Sequence, residues 1–201
     1  MRKTLLIVVA IALAPFCAFA VDGVTLINQS TVMAAGGFPY IISNPGSYKL
    51  SGNLVPNLNQ MALRITAINV VVDLNVFNIL CSTDGSLSAG FVCVGEGAVM
   101  HNIAIRNGGV TVSLTTNSAA GPMYGLAFNS DRLTVEDLRI EALGKTFSLG
   151  PNSIIRHNIL SGSGSGTAVC PSLIEGNVNA GTQPGEHINN GCVLVNNVGL
   201  F

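Results

Sequence analysis

The apolar positions of this chain recur in a short phrase rather than in long runs. Residues 153–160 read SIIRHNIL, residues 172–179 read SLIEGNVN and residues 192–199 read CVLVNNVG. Each carries aliphatic side chains, a polar pair, an Asn and a further aliphatic residue. Aligned on the Asn, the phrase occurs at Asn75, Asn102, Asp137, Asn158, Asn177 and Asn197, at intervals of 27, 35, 21, 19 and 20 residues. The next residue is aliphatic each time: Val76, Ile103, Leu138, Ile159, Val178 and Val198. A repeat of about 20 residues built from strand-forming side chains predicts a solenoid.

Between the copies no apolar spacing of i, i+3, i+4, i+7 appears, so a helical half-repeat is excluded. Two or three short apolar runs, broken by Gly, Asn or Ser, fill each interval instead. That pattern predicts a β-coil in which each rung pairs in parallel with the next, about 4.8 Å away. Equivalent positions then stack, and the six phrase residues are expected to form a ladder of hydrogen-bonded amides. Residues 81–92 and 107–122 hold the extra length of the long intervals and read as inserted loops. The SGSGSG stretch at 161–166 keeps the period and reads as the turn of a rung. At the N-terminal end NQSTVMAAGG predicts a short capping helix, with Asn28 or Ser30 as N-cap and Gly36 as its stop. At the other end the chain stops at or just after a rung, so either a loop folds over that end or it meets a second subunit of a homo-oligomer.

Composition adds the compartment. Arg2 and Lys3 precede LLIVVAIALA, and Ala18-Phe19-Ala20 supplies a cleavage pattern, which predicts a signal peptide over 1–20 and a single domain over 21–201. Ala14-Pro15-Phe16 before Cys17 makes a poor lipobox, so the expectation is a secreted protein, extracellular or periplasmic, with no membrane segment left after cleavage. Without Arg2 and Lys3, seven basic side chains face ten acidic ones, a formal charge of −3, and no basic stripe invites nucleic acid. Only 9% of residues are charged and mean hydropathy is +0.53, which argues against disorder. Export makes disulfides plausible for Cys81, Cys93, Cys170 and Cys192. Cys81–Cys93 and Cys170–Cys192 is the local pairing, and buried free thiols are the alternative.

Residues 38–54, FPYIISNPGSYKLSGNL, and 69–79, NVVVDLNVFNI, resemble secreted bacterial proteins with right-handed parallel β-helix repeats, in the pectate-lyase-like superfamily. The resemblance covers about residues 24–201. It implies an all-β fold, a single-stranded right-handed parallel β-helix of about seven rungs. Val76 stands where the usual phrase has Gly, so that turn is expected to differ. The superfamily spans lyases, hydrolases, epimerases and inert shafts, so fold alone does not choose an activity.

Chemistry must therefore be sought on the outside of the coil. A hydrolase needs two carboxylates flanking the scissile bond. A lyase needs carboxylates converging on Ca²⁺ and an Arg or Lys base. The N-T-D, D-D, G-H-G and R-I-K phrases of polygalacturonase-type enzymes are absent, as are adjacent Asp pairs for Ca²⁺. No cofactor is expected, with Ca²⁺ reserved for a lyase. One constellation emerges from the ladder alignment. The position before the ladder residue holds His101, Glu136 and His157, expected to stack on consecutive rungs as candidate acid–base residues. Nearby positions supply Asp73, Arg139, Arg156 and Glu175 as binding candidates. The blander reading is that outward polar residues serve solubility, and the two His backbones, about 9–10 Å apart, are too distant to share one metal ion. With no Trp and three Tyr, sugar-stacking surface is scarce. The sequence thus points to a non-catalytic structural or glycan-contacting module whose partner is a polysaccharide or cell-surface glycan. A divergent polysaccharide lyase or glycosidase is the alternative.

Overall fold

A computed structural model describes residues 23–98, 100–116, 119–164, 166–180, 187–188 and 191–199. The expected signal peptide at 1–20 lies outside the described residues. The chain is all-β apart from one short helix, and its strands form one curled, parallel sheet.

Three stacks of parallel strands follow one another around the coil. The first comprises Val24–Ile27, Gly46–Leu50, Val70–Asp73, residues 103–106, residues 133–136, Ile154–Arg156, Leu173–Glu175 and Val193–Val195. The second comprises Asn78–Thr83, residues 109–114, residues 139–145, Ile159–Gly164 and Val178–Asn179. The third comprises Tyr40–Ile42, Leu63–Ile65, Phe91–Glu96, Met123–Phe128, residues 145–149, Thr167–Ala168 and His187–Ile188. His101–Leu114 and Asp131–Leu149 are long because they continue from one stack into the next, the second through all three stacks with a register shift between Ala142 and Lys145.

The reason these segments are strands is visible in their burial. Side chains alternate in and out, and β-branched residues fill the inward positions. Tyr48, Val72, Ile105, Val135, Ile155 and Ile174 form one buried column of the first stack. Ile79, Val110, Ile140 and Leu160 form another in the second. Leu63, Val94, Leu126 and Phe147 do so in the third. Removing these columns from water is the main favourable term in folding, at about 25 cal/mol per Å² of apolar surface.

Corners are set by residues in the left-handed region, where Asn, Asp and Gly are least strained. Entering the first stack are Asn69, Asn102, Arg132 and Asn152, with φ of 56–57°. Leaving it are Asn107, Asp137, His157, Gly176 and Asn196, with φ of 51–64°. The phrase alignment therefore needs correction. Asn102 belongs to the entry corner, where its amide donates to Asn69 Oδ1 at 2.9 Å. Asp137 sits one position before the ladder, exposed at the exit corner. Asn75 lies in a longer turn, donating to the Leu50 carbonyl at 3.1 Å. Leu138 and Gly108 occupy the ladder position in those turns.

The amide ladder itself holds at Asn158, Asn177 and Asn197. The Asn177 side-chain oxygen accepts from both the backbone and side-chain amides of Asn158, each at 2.9 Å. Asn197 does the same for Asn177 at 3.0 Å. Each amide then donates to a carbonyl of the preceding turn, at Val135, Ile155 and Ile174.

Residues 109–114 are not an insertion, because they pair in register with Asn78–Thr83, and residues 81–83 and 91–92 likewise belong to paired strands and not to an inserted loop. The extra length lies in two loops that lie on each other: Thr115 N–H donates to the Thr83 carbonyl and Ala120 N–H to the Gly85 carbonyl. Of SGSGSG, residues 161–164 continue a strand. Both local disulfides are formed, Cys81–Cys93 with Cα atoms 5.8 Å apart and Cys170–Cys192 at 4.9 Å. The first braces the second stack against the third across the loop, and the second ties the last turn to the one before it. The helix α1, Gln29–Ala34, has Asn28 as N-cap in a capping box with Thr31. Its Val32 is buried in the core, and Gln29 pairs both ways with the backbone of Val55.

The ladder makes a direct prediction. Asn177→Ala removes the acceptor of the Asn158 backbone N–H and of one of its side-chain hydrogens, and the side-chain donor to the Ile155 carbonyl, in a buried site. It should lower unfolding free energy in a denaturant titration by about 2–4 kcal/mol. Asn102→Ala, at an exposed corner, leaves no buried group unsatisfied but puts Ala in the left-handed region, and should lower it by about 1–2 kcal/mol.

Candidate functional site

A groove of about 340 Å³ runs along the exit corner of the first stack. Its floor is made by two glycines, and its rim by Asn78, Asn107, Asp137, Arg139 and His157. The groove exists because two successive turns differ in length. In the earlier one, residues 74–77 separate Asp73 from Asn78; in the next, only Asn107 and Gly108 separate Arg106 from Gly109. The longer turn bulges onto the shorter. A Cβ on Gly108 would meet the Phe77 carbonyl oxygen at 2.6 Å and also the Leu74 side chain, so no other residue fits. Val76 at the crest of the bulge is 76% exposed with φ of 60°. The turn carrying Val76 does depart from the usual tight one, by lengthening outward.

Exit-corner geometry aims Asp137 and His157 into solvent above this floor. His157 Nδ1 lies 3.7 Å from Asp137 Oδ1. Arg139 pairs with Glu141, its Nε at 2.6 Å and Nη2 at 2.5 Å from Oε1. The corner therefore gathers an imidazole, a carboxylate, a guanidinium and two primary amides around a nearly apolar floor. Such a set can donate to and accept from hydroxyl groups.

The stack of His101, Glu136 and His157 is not brought together. His101 pairs in register with Asp131 at the entry corner, five residues before Glu136. Glu136 points outward from the first stack, and His157 shares its column with Asp137. The physical reason is the corner exchange at Asn102, which moves that rung by five positions. Asp73, Arg156 and Glu175 do share one column, and Glu136 joins them. Arg156 donates to Glu136 Oε2 at 2.8 and 2.6 Å. That hydrogen bond, with the Glu136 charge, raises the Arg156 pKa above its ordinary value. Asp73 accepts from the Asn75 backbone at 2.7 Å and from Asn107 Nδ2 at 3.1 Å, and lies 3.9 Å from Arg106.

Two members of this column, Lys49 and Arg106, escape the phrase alignment. The signal that finds them is alternation of sign from rung to rung. Among the described residues no cluster of three His, Cys, Asp or Glu side chains is placed to hold a metal ion. No family model matches the chain, and neither do the curated proteins or the solved structures.

The bulge yields two opposed predictions. Val76→Gly relieves a left-handed β-branched residue, worth about 1–2 kcal/mol, against about 0.5–1 kcal/mol for the added freedom of the unfolded chain. It should therefore raise unfolding free energy slightly. Gly108→Ala should lower it by about 1–3 kcal/mol through overpacking. Thermal and denaturant melts of the two variants check both signs.

Proposed function

We propose that the chain is a secreted right-handed parallel β-helix of about seven rungs, one domain over residues 21–201, acting as a non-catalytic structural or glycan-contacting module outside the cell or in the periplasm. One observation carries the non-catalytic part: most carboxylates of the described residues are already engaged with partners in the chain. Asp73 caps a turn and faces Arg106, and Glu136 lies between Arg106 and Arg156. Glu96 accepts from Ser130 and from the Asn129 backbone. Asp84 accepts from Asn59 and Ser86, which hold its pKa below the usual carboxylate range, the Ser86 contacts contributing most. Asp131 pairs with Arg132 and Glu141 with Arg139. A glycosidase needs two carboxylates about 5–9 Å apart, free to face a glycosidic bond.

The exit-corner groove supports glycan contact, since amides and an imidazole above a flat floor suit hydroxyl-rich ligands. Two disulfides suit an oxidising compartment outside the cytosol. Exposed Val193, Leu194 and Val198 in the last described turn support contact with a second subunit at that end.

A second reading, a divergent polysaccharide lyase or glycosidase, draws on the His157–Asp137 pair and Arg139 at the groove, with Ca²⁺ as cofactor if it is a lyase. A panel of acidic and neutral polysaccharides, with and without Ca²⁺, separates the two. The expected result is retention in affinity electrophoresis on at least one polysaccharide, without unsaturated product or new reducing ends. Turnover that disappears in His157→Ala would transfer the function to the enzymatic reading.

A further inference from the structure

The outward face of the first stack carries six charges in one column: Lys49, Asp73, Arg106, Glu136, Arg156 and Glu175, each in register with the next. Their signs alternate without a break. Two positions earlier on the same face stand Ser47, Val71, Ala104, Thr134, Ile154 and Leu173, also in register and mostly small or apolar. Ile154 is 37% exposed. A groove of about 410 Å³ borders this second column at the entry corner.

Alternation serves the chain first. Like charges stacked about 4.8 Å apart would repel, whereas Arg156 binds Glu136 and Arg106 lies 3.9 Å from both Asp73 and Glu136. It has a second consequence, set by symmetry. A two-fold axis along the strands, midway between the Arg106 and Glu136 rungs, lays a second copy on this face with its rungs in reverse order. Every column then faces itself. Because an even number of signs alternates, Lys49 meets Glu175 of the second copy, Asp73 meets its Arg156 and Arg106 meets its Glu136. The neighbouring column matches too, with Val71 opposite Ile154 and Ala104 opposite Thr134. A two-fold axis along the stack, through the charged column, would set like charge on like.

We propose that this face is the interface of an antiparallel homodimer. A second copy is the occupant that the charge pattern selects, since a uniformly charged polymer would be repelled by every other rung. The six rungs span only about 24 Å. The buried area is therefore smaller than the roughly 800 Å² per partner of a standard interface, and the dimer is weak and salt-sensitive.

Sedimentation velocity of the purified protein, over a concentration series at low and high salt, tests this. A monomer–dimer equilibrium that weakens with salt is expected. Lys49→Glu sets like charge against like at two symmetric contacts and should weaken association by about tenfold or more. Lys49→Glu combined with Glu175→Lys should restore it. Residues 49 and 175 lie about 24 Å apart within one chain, so this rescue passes only between copies. Thermal melts establish that each variant is folded. A monomer at every concentration overturns the proposal. So does a folded Lys49→Glu variant that dimerises like the parent, or a folded double variant that stays monomeric.

Discussion

Backbone hydrogen bonds between successive turns hold equivalent residues about 4.8 Å apart, and that distance decides which side chains each column tolerates. Inward columns accept shape-compatible aliphatics, as with Val72, Ile105, Val135, Ile155 and Ile174. A polar column is stable only if its members satisfy one another. Asn can do so because its oxygen accepts from the next amide while its nitrogen donates to a carbonyl, as at Asn158 and Asn177. A charged column is stable only if sign alternates. The ladder and the ion-pair column are thus two answers to one spacing.

Insertions test the same rule. Extra residues are accommodated where a turn bulges outward, but the next turn must yield the space. Gly108 and Gly109 are that concession: their neighbours Leu74, Phe77 and Asn78 fill the volume a Cβ would need. The groove is consequently a by-product of unequal turn lengths rather than of any single side chain. The loops before Phe91 and before Met123 follow the opposite course, stacking on each other so that the register survives beneath them.

The all-β curled parallel sheet and the capping helix were legible in the residues, while the local disulfides were one of two readings the residues left open. The last three turns were legible in detail, because the offsets of 19 and 20 residues that join them leave no room for another alignment. The offset into them was read as 21 instead of 20 because Asp137 was taken for the ladder residue. Earlier turns were not. The stretch HNIAIRN offers an Asn at each end, and both Asn102 and Asn107 occupy left-handed corners. Asn marks a corner without saying which one, and choosing Asn102 displaced that rung by five positions. His101 was thereby set beside Glu136 and Arg106 was hidden. Charge alternation would have discriminated, since only the true register places Arg106 between Asp73 and Glu136. The groove was illegible because it depends on how one turn overhangs the next.

Glu136 and Asp137 are adjacent in sequence yet serve different surfaces. Glu136 closes the first-stack segment of the Asp131–Leu149 strand and faces outward among arginines, whereas the left-handed backbone at Asp137 turns its side chain round the corner to His157. The dimer face and the groove therefore need not compete. A two-fold axis along the strands keeps each column at its own lateral position, so both grooves of the proposed dimer open along the same edge. Their rungs run in opposite directions. A directional polymer seated in one groove would not continue in the same sense into the other, and the pair is better suited to holding two separate strands together. Bivalent attachment of that kind raises apparent affinity without any new contact. It would give a weak groove on a weak dimer a use that neither has alone.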